Sequence, residues 1–177
     1  MKRFLVVVDM QKDFVDGSLG TKEAQAIVPN VCKKIESFED TIIVTMDTHG
    51  KDYMNTREGR LLPVEHCIKD TEGWKLDKAV EEALAKKPHT VLEKPTFGST
   101  RLPDLLEVMA TGQCFEVCFI GLCTDICVVS NVLLTKAAFP EADIYVDASC
   151  CAGVTPEKHN AALETMKSCQ IVIENEE

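Results

Sequence analysis

The chain has 177 residues, a length that suits one domain spanning 1–177 around one sizeable core. Hydrophobic residues make up 45% and charged residues 27%, a globular balance that argues against disorder. A net charge of -10, from 19 basic and 29 acidic residues, disfavours nucleic acid and anionic membrane as partners, because phosphate contacts need clustered Lys and Arg.

Met1-Lys2-Arg3 ahead of an apolar run has the outline of a signal peptide. That run is too short, and Asp9 ends it with no small-residue cleavage site behind it. No stretch approaches the length of a membrane span, so a cytoplasmic protein is expected. Phe4 to Val8 is a β-branched run typical of a strand buried on both faces. Ala24 to Phe38 has helical spacing, with Ile27, Val31, Ile35 and Phe38 on one side. Thr41 to Met46 reads as a second strand, Leu76 to Leu84 as a helix and Thr90 to Leu92 as a brief strand. Pro103 to Met109 reads as a short helix opened by its proline. Phe115 to Ile120 is a strand, followed by a helix over Thr124 to Ala138 with Thr124 as its expected N-cap. Ile144 to Val146, Pro156 to Ser168 and Ile171 to Ile173 complete the pattern as strand, helix and strand. Six strands alternating with helices predict a mostly parallel sheet covered on both faces, an α/β fold.

The segment from Asp47 to Trp74 fits neither period. It follows the carboxyl end of a strand, the edge where open α/β sheets bind ligands. A loop of that length inside a compact domain is usually functional.

Three residues fall at strand carboxyl ends: Asp9 after the first, Lys94 after the third and Cys127 after the fourth. In a parallel sheet these ends share one edge, so the three side chains can converge. Each has a plainer reading: free Cys is usually core, Lys a solvated charge and Asp a cap. A carboxylate ending a buried strand is harder to set aside, because an unpartnered one is costly. A helix N-terminus and a nearby Lys would lower the pKa of Cys127 and ready it as a nucleophile. A second group is Asp47, His49, Glu58 and His66, whose two imidazoles and two carboxylates suit Zn²⁺, Mn²⁺ or Fe²⁺ rather than Ca²⁺. Its plainer reading is loop capping and two exposed His. Nine cysteines, an odd number with no C-x-x-C pair, argue against a disulfide framework, a zinc ribbon or a thioredoxin-like site.

Val-Val-Asp-Met-Gln-Lys-Asp-Phe around Asp9, Glu-Lys-Pro-Thr-Phe-Gly-Ser around Lys94 and Gly-Leu-Cys-Thr-Asp-Ile-Cys-Val around Cys127 resemble, in this order, the motifs of the isochorismatase-like cysteine hydrolases, nicotinamidase branch. Asp147-Ala-Ser-Cys-Cys-Ala-Gly-Val-Thr-Pro is similar to the family's stretch before the last helix. The resemblance covers nearly the whole chain. It implies a three-layer αβα sandwich, with Cys127 as nucleophile, Asp9 as base and Lys94 as their partner. It also implies a cis peptide between Leu122 and Cys123, with backbone N–H groups of Cys123 and Cys127 as oxyanion donors. A divalent metal, zinc foremost with manganese or iron as alternatives, would sit on Asp47, His49, Glu58 and His66. The implied reaction converts a small carboxamide, nicotinamide foremost, to carboxylate and ammonia in a homo-oligomeric enzyme. Pro63 stands where some members place an aromatic that stacks on the pyridine ring, which leaves Phe14 and Phe97 as aromatic walls. Other family substrates, an N-carbamoyl compound or isochorismate, are the nearer alternatives. A non-catalytic binding protein or a thiol redox sensor is the alternative of another class.

Overall fold

The computed structural model describes residues 1–176. Strand β1 (Lys2–Val8) alternates strictly: Phe4, Val6 and Val8 enter one apolar cluster, Leu5 and Val7 the other. That division requires helices on both faces of the sheet. On one face lie α5 (Arg101–Ala110), α6 (Val129–Ala138) and α7 (Pro156–Ser168), which contribute Leu102, Leu106, Val132, Leu163 and Met166. On the other lie α2 (Lys22–Ser37) and α4 (Lys78–Leu84), with Ile27, Val31, Ile35, Val80 and Leu84. A short helix α1 (Lys12–Val15), not predicted, turns the chain just after β1.

The remaining strands are β2 (Thr41–Asp47), β3 (His89–Lys94), β4 (Phe115–Leu122), β5 (Asp143–Ala152) and β6 (Val172–Glu174). Their order is β3-β2-β1-β4-β5-β6, and every pairing is parallel. The chain winds outward from β1 in one direction and from β4 in the other. The switch point therefore lies between β1 and β4, and its carboxyl-side crevice is the expected ligand site. Gly121 makes this junction tight: it pairs with Val8, has a φ of +117°, and a Cβ there would collide with the Val8 carbonyl oxygen.

Three expectations need correction. The helix after β4 begins with a wide π turn (Thr124–Val128) before α6, and its N-cap is Cys123. Thr124 does not cap it: its hydroxyl instead meets the His159 ring on α7 at 2.7 Å. The insert after Asp47 is not wholly irregular, because it carries a 3₁₀ turn (Tyr53–Asn55) and a short helix α3 (Arg57–Leu61) capped by Thr56. Strand β5 runs well beyond Ile144 to Val146, since a register shift opposite Phe119 to Gly121 lets it resume pairing at Cys151.

Candidate active site

Asp9 leaves β1 with a left-handed φ of +47°, an uncommon conformation for a side chain bearing a Cβ. The turn directs its carboxylate along the sheet edge. Thr45 on β2 donates its hydroxyl to Asp9 Oδ1 at 2.7 Å. Lys94, the last residue of β3, reaches back across β2 until its Nζ lies 2.6 Å from Asp9 Oδ2. At that separation the ammonium and the carboxylate form a tight, charge-assisted pair. Cys127, in the π turn after β4, brings its Sγ to 3.5 Å from the same Nζ. The peptide between Leu122 and Cys123, at the entrance to that turn, is cis. Asp9, Lys94 and Cys127 are 0%, 1% and 4% exposed, so they meet in an enclosure where electrostatic effects are strong.

The second group gathers immediately beside the first. Asp47 ends β2 and His49 follows it, while Glu58 lies on α3 and His66 further along the insert. One donor atom from each lies within 4.8 Å of all the others. Ligands about 2.0–2.1 Å from a tetrahedral ion stand about 3.3–3.4 Å apart. The N···O separations within the group run from 2.9 to 3.7 Å, so these residues fit such an ion. His66 Nδ1 bonds the Val64 carbonyl at 2.8 Å, which assigns the proton to Nδ1 and leaves Nε2 as ligand atom. Asp47 joins the two groups, with Oδ1 3.5 Å from Lys94 Nζ and Oδ2 2.9 Å from His49 Nε2.

Two residues that sequence reasoning missed hold this edge together. Buried Gln11 accepts the Asp47 N–H at 2.7 Å and donates its amide to the Asp47 and Trp74 carbonyls, each at 2.8 Å. Asp13 accepts the Cys67 N–H at 2.8 Å and so ties the insert to α1. Both stand in the segment after Asp9, but their partners lie 36 to 63 residues away and leave no periodic signal. The two expected aromatic walls differ: Phe14 is buried against the His66 ring, 5.6 Å between centroids, whereas Phe97 is 44% exposed.

Residues 3–177 match the isochorismatase domain family. This chain belongs to that family. It is similar to an uncharacterized isochorismatase family protein PncA of Bacillus subtilis (strain 168), 32% identical over 144 residues, 75% of this chain and 78% of that protein. Among solved structures it resembles nicotinamidase/pyrazinamidase PncA from Bacillus subtilis, with a TM-score of 0.86 at 27% identity over 99% of this chain and 100% of that one. It also resembles pyrazinamidase of Pyrococcus horikoshii in complex with zinc, with a TM-score of 0.78 at 26% identity over 98% of each chain.

The electrostatics of this isochorismatase-family site correct one expectation. The Cys127 thiol is not held low: burial pushes its pKa well above the ordinary thiol range, and the Asp9 charge adds to the rise. Lys94 opposes that rise without overcoming it. The resting sulfur therefore carries its proton, and would become a thiolate only with a base to take it. Burial also raises Asp9, and the Asp47 charge adds to this against the pull of Lys94. A buried carboxylate with raised proton affinity beside the thiol is suited to that task. Burial disfavours the charge on Lys94, but Asp9 and Asp47 together hold it protonated.

Proposed function

We propose that this chain is an amidohydrolase that converts a small aromatic carboxamide, nicotinamide foremost, to its carboxylate and ammonia. The observation that carries the reading is the buried Asp9–Lys94–Cys127 contact: a thiol, a carboxylate and a fixed cation in one enclosure. Asp9 takes the Sγ proton and the thiolate attacks the amide carbon, forming the C–S bond. Lys94 stabilises the thiolate as it forms and keeps Asp9 oriented. The oxyanion is met by the backbone N–H groups of Cys123 and Cys127. Asp9 gives its proton to the departing nitrogen, which leaves as ammonia. Asp9 then deprotonates water, which cleaves the thioester; the thiolate recovers the proton and the carboxylic acid leaves.

Asp47, His49, Glu58 and His66 would hold a divalent ion, with zinc proposed first because His and carboxylate donors at this spacing suit it. When bound, such an ion supplies a Lewis-acid anchor for a ring nitrogen, which favours a pyridine or pyrazine carboxamide over an aliphatic one. Phe14 would wall the ring on one side and Phe97 on another. Nine unpaired cysteines support a reducing, cytoplasmic location. No described helix is long and apolar enough to cross a membrane. The decisive experiment is ammonia release from nicotinamide by purified protein, with and without chelator. Release that chelator suppresses supports the whole reading. No release from nicotinamide, with release from another carboxamide that Cys127→Ala abolishes, would keep the cysteine hydrolase and discard nicotinamide.

A further inference from the structure

Asn131 lies wholly inside the protein, one turn along from Cys127, and uses both ends of its amide. Its Nδ2 donates to the Cys127 carbonyl at 2.7 Å and to the Phe97 carbonyl at 3.2 Å. Its Oδ1 accepts the Ser99 N–H at 2.9 Å. The segment it grips, residues 95–99, follows directly from Lys94. At the start of that segment the Thr96 carbonyl accepts a hydrogen bond from Lys94 Nζ at 3.0 Å. The contacts form a closed circuit: Cys127 main chain to Asn131, Asn131 to the 95–99 loop, the loop to Lys94, and Lys94 Nζ to Cys127 Sγ at 3.5 Å.

We infer that Asn131 is a positioning residue that sets the Lys94 ammonium against the Cys127 thiol by clipping the 95–99 loop to the nucleophile turn. A bond to the carbonyl four residues back alone would ask only for a hydroxyl, as Ser130 makes to Ile126 and Thr135 makes to Asn131. The other two bonds, to Phe97 and Ser99, are what an amide adds, because it supplies two donors and an acceptor together. They fix where the Thr96 carbonyl stands, and so which way Lys94 leans among Asp9, Asp47 and Cys127. The same grip holds the backbone of Phe97, one of the walls proposed above. The inference rests on the cysteine-hydrolase reading.

The test compares the parent with Asn131→Thr and Asn131→Asp. Threonine keeps a hydroxyl for the Cys127 carbonyl and gives up the loop. Aspartate keeps the acceptor for Ser99 and sets a carboxylate against two carbonyl oxygens. Cys127 alkylation by iodoacetamide is followed across pH by peptide mass spectrometry, beside amide turnover and thermal unfolding. In Asn131→Thr the midpoint of the alkylation profile rises by about one pH unit, as expected for a thiolate losing its cation. Its kcat falls about tenfold or more with KM near that of the parent. Asn131→Asp shifts the same quantities further. An Asn131→Thr protein with the parent's alkylation profile and kcat would overturn the inference, even if Asn131→Asp failed to fold. A Cys127→Ala protein that turns over amide at the parent rate would overturn the nucleophile reading and this inference with it.

Discussion

The Asp9–Lys94–Cys127 trio and the Asp47–His49–Glu58–His66 cluster share a carboxylate contact yet are built differently. Every member of the trio leaves a strand of the central sheet or the turn directly after one, and all three are enclosed. The cluster takes two members from the end of β2 and two from the insert, with Glu58 partly open to solvent. Sheet pairing brings the trio's main chain to one edge, whereas the cluster's insert is held there by side-chain stitches from Gln11 and Asp13. The difference teaches that the two should fail separately, the trio through chemistry and stability together, the cluster through ligand affinity with the fold intact.

The largest expected effect is on chemistry. Cys127→Ala should lower ammonia release by about 10⁴-fold or more. The melting temperature should move little, since the lost atom is one buried sulfur. Turnover near the parent rate would remove the trio from the mechanism.

Lys94→Met should sharpen the comparison from the stability side. It leaves Asp9 and Asp47 buried without their cation, a loss of about 3–5 kcal/mol by urea denaturation. A variant as stable as the parent would mean that the trio's charges are not coupled as their spacing implies.

Convergence of the trio was legible because strand carboxyl ends in a parallel sheet must share an edge. Asp47, His49, Glu58 and His66 could be grouped by ligand chemistry, and the motif order brought the family within reach. What escaped depended on distant partners. Thr124 reads as a cap in sequence, yet His159, 35 residues later, takes its hydroxyl. The height of the thiol pKa escaped too, because burial outweighs the pull of Lys94. Gln11 and Asn131 carry no periodic or charge signal at all, and only folding reveals their partners.

The next effect is confined to the cluster. Glu58→Gln should weaken zinc binding about 10- to 100-fold in competition with a chromophoric chelator. Its circular dichroism should match the parent's. Unfolding of this variant would show that the insert is not separable from the sheet.

The smallest effect lies outside both regions. Asp147 on β5 accepts bonds from Lys34 at 2.8 Å, Ser149 at 2.7 Å and Asn175 at 3.0 Å. Burial alone would raise its pKa, but these three partners hold it below the usual carboxylate value. A carboxyl whose folded pKa lies below its unfolded one adds stability above the unfolded value of about 3.9. That stability is lost as pH falls through the folded value. Asp147→Asn should therefore flatten the acid limb of a stability–pH curve without touching turnover at neutral pH. An unchanged acid limb would assign the acid lability to other carboxyls.

Gly121 sets the terms on which this enzyme can change its trade. With the Val8 carbonyl where a Cβ would stand, β1 and β4 are butted together directly before Asp9 and the turn that carries Cys127. No substitution there can enlarge the crevice without parting the sheet that aims Asp9 and Cys127. Room for a bulkier amide must come from above, by recutting the insert or the 95–99 loop. A library aimed at new substrates should spend its diversity on those two segments and leave the strand junction alone.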